Sequence, residues 1–383
     1  MSTDGEFFIH QFVTEKRAGL GEDAEPLIGH IQLVGDVVGV FDGMGGSGSI
    51  LVPEENLKDQ CSMARLASRF AKEAALRELN QWGKEDLSNL KTQIEAAITE
   101  SLRMLTKRPG GKGPEGKLRG TILSLYPTTV AIAVVRPMKD EFRQRQLKIL
   151  WAGDSRVYVL DFSQHVPLQM LTRDHTQSGD GGDGALSRFA SADGLELEES
   201  DFCLPPSAAV IAMTDGCYGY MRPFRLLYTL VKHLVRSRDA KEWILRIQTD
   251  ISSVAGDDTS FAISFGEGGF AACQQEAEKL LDYLEPIAHI QEVSPPNPYI
   301  VPFDESAYME LLVNHENRRQ GAGVSTVIRT EIESAPSTIT RVDHALPEPS
   351  VGEQVPSVFL APSTADLDKE MSSEPPPQSE AKG

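Results

Sequence analysis

The sequence predicts an α+β fold, and three observations carry that prediction. Short apolar runs rich in β-branched or aromatic residues, bounded by Gly, Asp or Pro, recur through the first 266 residues. Two pairs of longer segments place apolar residues at three- and four-residue steps instead. These helix pairs are separated by a run of strands rather than alternating singly with them, which argues against parallel βαβ units.

Residues 7–13 and 32–41 read as the first strands. Met63, Leu66, Ala67, Phe70, Ala74 and Ala75 then line one face of a helix, and Leu90, Ile94, Ala97, Ile98 and Leu102 line another. Strands are expected at 128–135, 147–151, 157–160 and 209–213, helices at 224–235 and 240–254, and a last strand at 261–265. No internal repeat and no Gly-rich phosphate-binding fingerprint interrupts this order. Composition shifts near residue 266. Helical patterns at 270–287 and 304–319 flank a Pro-rich connector, and residues 320–383 carry ten acidic and four basic side chains with eight prolines. That stretch holds too little apolar surface to offset its ordering entropy, so disorder is expected. The expected organisation is a domain over 1–266, a helical extension over 267–319 and an acidic tail over 320–383 that is open to recruiting a protein partner.

The 383 residues include 37 basic and 56 acidic side chains, a formal net charge of −19. So acidic a chain is repelled by phosphate backbones and anionic lipid, and its basic runs are short, which argues against nucleic-acid and membrane partners. The four cysteines are scattered, with no C-x-x-C, as expected of reduced thiols. No apolar stretch reaches the roughly 18 residues of a membrane span. The first ten residues lack a basic segment followed by an apolar run, so a cytoplasmic address is expected.

The informative residues are carboxylates where strands end. The apolar run 37–41 leads into Asp42-Gly43-Met44-Gly45-Gly46, a carboxylate followed by glycines that let the backbone turn tightly beside a ligand. Taken alone this could equally be a hairpin turn. The pattern recurs, however, at Gly153-Asp154-Ser155-Arg156, Thr214-Asp215-Gly216 and Gly256-Asp257-Asp258, with Glu22-Asp23 between the first two strands. Such clusters repel one another when they converge unless a cation neutralises them. The absence of His and Cys from them favours magnesium or manganese over zinc or copper.

In this order and spacing the five elements resemble the metal-dependent protein phosphatases of type 2C, in their bacterial-like branch, over roughly residues 5–266. The resemblance implies a four-layer αββα sandwich of two antiparallel sheets flanked by helix pairs, with two Mn2+ or Mg2+ ions at one end. It implies that Asp42 bridges the ions, that the Gly43 carbonyl, Asp215 and Asp257 complete one shell, and that Glu22 or Asp23 holds the other. Asp154 corresponds to the acid that orients metal-bound waters or binds a third, weaker ion, and Asp258 to a supporting position. The implied reaction is hydrolysis of phosphoserine or phosphothreonine in proteins by a metal-activated water, within a serine/threonine kinase pathway.

Arg17 is the phosphate-binding candidate by position, because a guanidinium offers planar, bidentate donors. Its separation from Asp23 is one residue longer than in the family pattern, and Lys16 is the alternative. Met44 stands where many relatives carry a proton-donating histidine, and a thioether cannot donate. His175 reads as a structural hydrogen-bond partner, the Gly/Asp-rich segment 178–184 as a flap beside the cleft, and Cys217 as a small buried residue. The competing functional reading is a pseudophosphatase that binds phosphoproteins without turnover.

Overall fold

The computed structural model describes residues 9–53, 60–82, 86–111, 124–138, 143–164, 166–176 and 185–293. In chain order these form β1 (Ile9–Thr14), β2 (Leu27–Ile31), β3 (Gly35–Val40), the single turn α1 (Gly45–Gly48), β4 (Leu51–Pro53), β5 (Gln60–Ser62), α2 (Met63–Gln81) and α3 (Leu90–Thr106). There follow β6 (Val130–Pro137), β7 (Arg145–Ala152), β8 (Arg156–Leu160), β9 (Leu168–Met170), β10 (Glu198–Leu204), β11 (Ala209–Met213) and the short α4 (Asp215–Tyr218). The last elements are α5 (Pro223–Arg236), α6 (Ala240–Val254), β12 (Thr259–Ser264) and α7 (Gly269–Val293).

Two five-stranded sheets result, ordered β1-β12-β11-β8-β9 and β10-β7-β6-β3-β2, with β4 and β5 as a separate hairpin. Every strand pair is antiparallel. Alternation along the strands decides the layers, since successive side chains face opposite ways. Val38, Val40, Ala131, Ala133 and Ile149 of one sheet meet Val157, Val210 and Ala262 of the other in a central core. On the outer face of the β2-side sheet, Val37, Ile132 and Val134 pack with Leu66, Leu79, Leu90, Ile94 and Ile98 of α2 and α3. On the far side, Phe12, Ile211, Phe261 and Ile263 pack with Leu227, Leu230, Trp243 and Ile247 of α5 and α6. The αββα sandwich is therefore built on three apolar interfaces.

Local signals set the helix ends. Ser62 Oγ accepts the Arg65 N–H at 3.1 Å at the start of α2, Asp239 accepts the Glu242 N–H at 2.8 Å at the start of α6, and Pro223 opens α5. Helix α7 lies against α5 and buries Cys273, Ala277, Leu280, Leu281 and Leu284 in the same core as α5 and α6.

The strand read over 32–41 is corrected by the structure. Leu33 (φ 66°) and Gly35 (φ 115°) turn the chain, Val34 N–H donates to Ile31 O at 3.0 Å, and the run splits into the β2–β3 hairpin. Polar residues hid β10, whose exposed Asp201 and Glu199 pair with the buried Lys148 at 2.8 and 3.3 Å. The expected flap at 178–184, the helix at 304–319 and the tail at 320–383 lie outside the described residues. Among the described residues no helix is long and apolar enough to cross a membrane.

Candidate metal centre

Sheet topology gathers the acidic loops. Strands β3 and β7 both run antiparallel to β6, so their C-terminal ends reach the same edge of their sheet. The end of β11 and the start of β12 share an edge of the other sheet for the same reason, and β3 faces both across the sandwich. Asp42, Asp154, Asp215 and the Asp257-Asp258 pair thus meet at one end, joined by Glu22 and Asp23 from the β1–β2 connection.

A cleft of about 220 Å³ opens there, lined by Glu22, Asp42, Gly43, Met44, Gly45, Gly46, Thr129, Asp154, Leu186, Asp215, Asp257 and Asp258. Six of these carry carboxylates and none is Lys, Arg or His. Asp23 lies behind the cleft, 3% exposed, accepting the Thr214 hydroxyl at 2.9 Å and hydrogen-bonded to Asp42. Asp42 lies next to both Asp23 and Asp215, so three carboxyl groups form one cluster. Gly43 has no room for a side chain, because a Cβ would stand 2.6 Å from both the Ala64 and Glu22 carbonyl oxygens.

The Asp257-Asp258 pair divides its work. Asp258 is buried, and its carboxylate accepts the Lys16 and Glu22 backbone N–H groups at 2.7 and 2.6 Å. Asp257 is exposed at the mouth of the cleft, and its Oδ1 accepts the Asp258 N–H at 2.8 Å. Asp258 therefore fastens the β1–β2 connection to β12, and the carboxylate of Asp257 borders solvent.

The electrostatics are those of a centre short of positive charge. Burial pushes Asp23 up to about 7, the charges of Asp258 and Asp215 add to this, and the bonds from Asp42 and Thr214 oppose it. Asp42 is driven well above the usual carboxylate range by burial and by Asp23, Asp215 and Asp154. Asp154 rises to about 6 through burial and Asp215, and Asp215 is raised by burial and Asp257. Glu22 is raised by burial and by Asp258 and Asp257, against the Ser62 hydrogen bond and Arg65. Either protons or cations must neutralise such a set. Among the described residues no three His, Cys, Asp or Glu side chains are placed to hold a metal ion as they stand. Asp23, Asp42 and Asp215 are turned onto one another, and Asp258 onto backbone amides. The donor set nevertheless fits hard divalent ions, since every donor is an oxygen and, among the described residues, no protein cation lines the cleft with these like charges.

A second cavity, about 710 Å³, reaches Asp23 from the side of β1, α2 and α6. Its two basic side chains are both engaged with acidic or carbonyl partners. Arg69 donates to Gly21 O at 3.3 Å and lies 3.8 Å from Glu15, while Lys72 lies 3.8 Å from Glu25 and from Glu73.

Arg17 and Lys16 stand on an exposed turn and do not line the cleft. A different arginine, Arg65 at the start of α2, approaches Glu22; its Nη1 donates to Gly21 O at 2.8 Å and to Glu15 Oε1 at 3.3 Å. His175 Nδ1 accepts the Gly153 N–H at 3.0 Å, and the His175 N–H donates to Gly153 O at 3.0 Å. Burial lowers its pKa against the pull of Glu198, which suits a neutral structural imidazole. Cys217 is buried, with its thiol donating to Ser260 O at 3.3 Å.

Sequence reasoning missed the hydroxyls that hold these carboxylates. Thr128 Oγ1 donates to Asp42 O at 2.7 Å, Thr129 N–H donates to the same oxygen at 2.8 Å, and Ser68 Oγ donates to Glu22 O at 2.5 Å. Thr214 Oγ1 also accepts the Ser260 N–H at 2.9 Å. The available signal was the placement of Thr128-Thr129 and Thr214 at the boundaries of largely apolar, buried strands, where a hydroxyl needs a partner.

With this geometry in view, the fold can be compared with solved structures. The chain is similar to the crystal structure of the serine/threonine phosphatase Stp1 from Staphylococcus aureus, with 16% identity, 70% of this chain and 98% of that chain covered, and a TM-score of 0.50. The S. agalactiae serine/threonine phosphatase gives 13% identity, 68% and 99% coverage and a TM-score of 0.47. The Mycobacterium tuberculosis serine/threonine phosphatase PstP/Ppp gives 15%, 68%, 98% and 0.46. No family model and no curated protein matches the chain. At 16% identity the likeness to the staphylococcal structure establishes the fold, that of a bacterial serine/threonine phosphatase domain.

Proposed function

We propose that this chain is a metal-dependent protein phosphatase of the type 2C kind, hydrolysing phosphoserine or phosphothreonine in proteins. One observation carries the reading: carboxylates from five separate segments converge on one cleft at the end of the sandwich, with no basic side chain among the described residues that line it. Asp42, the Gly43 carbonyl, Asp215 and Asp257 would hold one ion, and Glu22 and Asp23 a second, with Asp154 available to a third.

Bound Mn2+ or Mg2+ would supply Lewis-acid activation of water and neutralise charge developing on the phosphoryl oxygens. The chain's own residues fix the cleft around that chemistry. Thr128 and Thr129 lock the backbone at Asp42, Asp258 ties Glu22 to β12, and Thr214 orients Asp23. Met44 and Leu186 give the cleft an apolar wall, and the thioether takes no part in proton transfer. The substrate class implies a serine/threonine kinase that supplies it, and the segment beyond 319 is available for recruiting a partner.

The test is release of phosphate from a phosphothreonine peptide with and without Mn2+, for the wild type and Asp215→Asn. Mn2+-dependent turnover that falls at least a hundredfold in the variant supports the reading. Metal binding by calorimetry without any turnover would identify a phosphoprotein-binding module instead.

A further inference from the structure

Tyr218 and Tyr220 stand two residues apart on the turn after Asp215, and the fold uses them in opposite ways. Tyr218 is buried; its hydroxyl donates to Asp154 O at 2.6 Å, and the Arg156 guanidinium covers its ring at 3.8 Å. Tyr220 is 50% exposed. Its backbone is nevertheless fixed, because Gly219 N–H donates to Asp215 O at 2.6 Å and Met221 N–H to Tyr218 O at 3.1 Å. The ring edge rests on Gly256, where a Cβ would stand 2.5 Å from Cε1 and 2.8 Å from the hydroxyl oxygen. Gly256 directly precedes Asp257, so the ring borders the exposed carboxylate at the mouth of the cleft.

A large aromatic side chain held half in solvent next to an acidic cleft has no packing role that explains its exposure. Its free face presents the negative side of the ring quadrupole, which attracts a cation. Among the described residues no Lys, Arg or His lines the cleft to occupy that face. Building on the phosphatase reading, we propose that Tyr220 is a substrate-specificity residue whose exposed ring face receives an arginine or lysine flanking the phosphorylated residue. The preferred substrates are then basic phosphopeptides.

The experiment measures kcat and KM in Mn2+ for paired phosphothreonine peptides that differ by Arg or Ala at each position flanking the phosphoresidue, alongside 4-nitrophenyl phosphate. Wild type, Tyr220→Phe and Tyr220→Leu are compared. An exposed cation–π contact corresponds to a preference of about two- to fivefold. The expected result is that preference for the Arg peptide at one or more positions, expressed in KM, kept by Tyr220→Phe and lost by Tyr220→Leu. Equal use of the Arg and Ala peptides by the wild type, or a preference that survives in Tyr220→Leu, would overturn the proposal while leaving the phosphatase reading intact. Absence of 4-nitrophenyl phosphate turnover by the wild type overturns the phosphatase reading and this one with it.

Discussion

Thr129 Oγ1 lies 2.6 Å from Ser155 Oγ and accepts the Asp42 N–H at 3.3 Å, so one buried hydroxyl couples the loop after β3 to the loop after β7. Both loops deliver carboxylates to the cleft. Thr129→Val keeps the shape but strands Ser155 and loosens Asp42. The expected cost is about 1–3 kcal/mol of stability. A shift in the position of Asp42 is expected to lower kcat roughly ten- to hundredfold. Chemical denaturation and phosphopeptide kinetics check the two parts separately.

The raised carboxyl groups link stability to pH and metal. Asp23 binds its proton with a pKa of about 7 in the folded protein, above its ordinary value of 3.8. The folded state therefore takes up the proton more readily than the unfolded chain. The resulting stabilisation is complete below about pH 4 and is lost as pH rises to about 7. Without divalent ions, the melting temperature is expected to fall between about pH 4 and pH 7. Mn2+ should reverse that fall, since it binds the folded state preferentially. Asp23→Asn should flatten the metal-free profile. Scanning calorimetry across pH, with chelator and with Mn2+, provides the check.

Arg156 joins Asp174 through Nε and Nη2 at 2.9 and 2.6 Å while stacking on Tyr218. Tyr218 in turn holds the Asp154 carbonyl. Lysine can reproduce neither the two-pronged bond nor the stacking. Arg156→Lys is expected to lose about 1–3 kcal/mol. Tyr218→Phe removes only the bond to Asp154 and should affect Mn2+ affinity more than melting temperature.

Helix α7 supplies part of the core beneath β12 and α5. Leu284 is 2% exposed, and Leu284→Ala should cost about 2–4 kcal/mol. A chain ending at residue 266 would leave the faces of α5 that α7 covers open to water, and it should melt well below the full chain and bind a hydrophobic dye.

Much of this site could be read locally. Asp42, Asp154 and Asp215 each follow a strand whose β-branched and apolar residues announce it, and the glycines beside them mark the turns. Among the described residues, the five helices of two turns or more followed from three- and four-residue spacing. The hairpin of β2 and β3 was not legible, because apolar residues continue through a turn that depends on the backbone conformation of Leu33 and Gly35. Strand β10 was hidden because it is a polar edge, held through Lys148 rather than by apolar alternation.

What the sequence determined by itself was an α+β chain with acidic strand ends and an oxygen-donor set suited to hard cations. Those are properties of short segments, set by side-chain chemistry and period. Tertiary structure alone supplied the distant partners that make Asp258 a fastener and leave Asp257 at the mouth of the cleft. Asp258 takes the amide of Lys16 across 242 residues of chain, and Thr214 reaches Asp23 across 191. The same long-range closure leaves Arg17 on an exposed turn, brings Arg65 towards Glu22 and sets Tyr220 against Gly256. Adjacent residues with like side chains can meet such different environments because burial and partner geometry, not residue type, set the role of a charge.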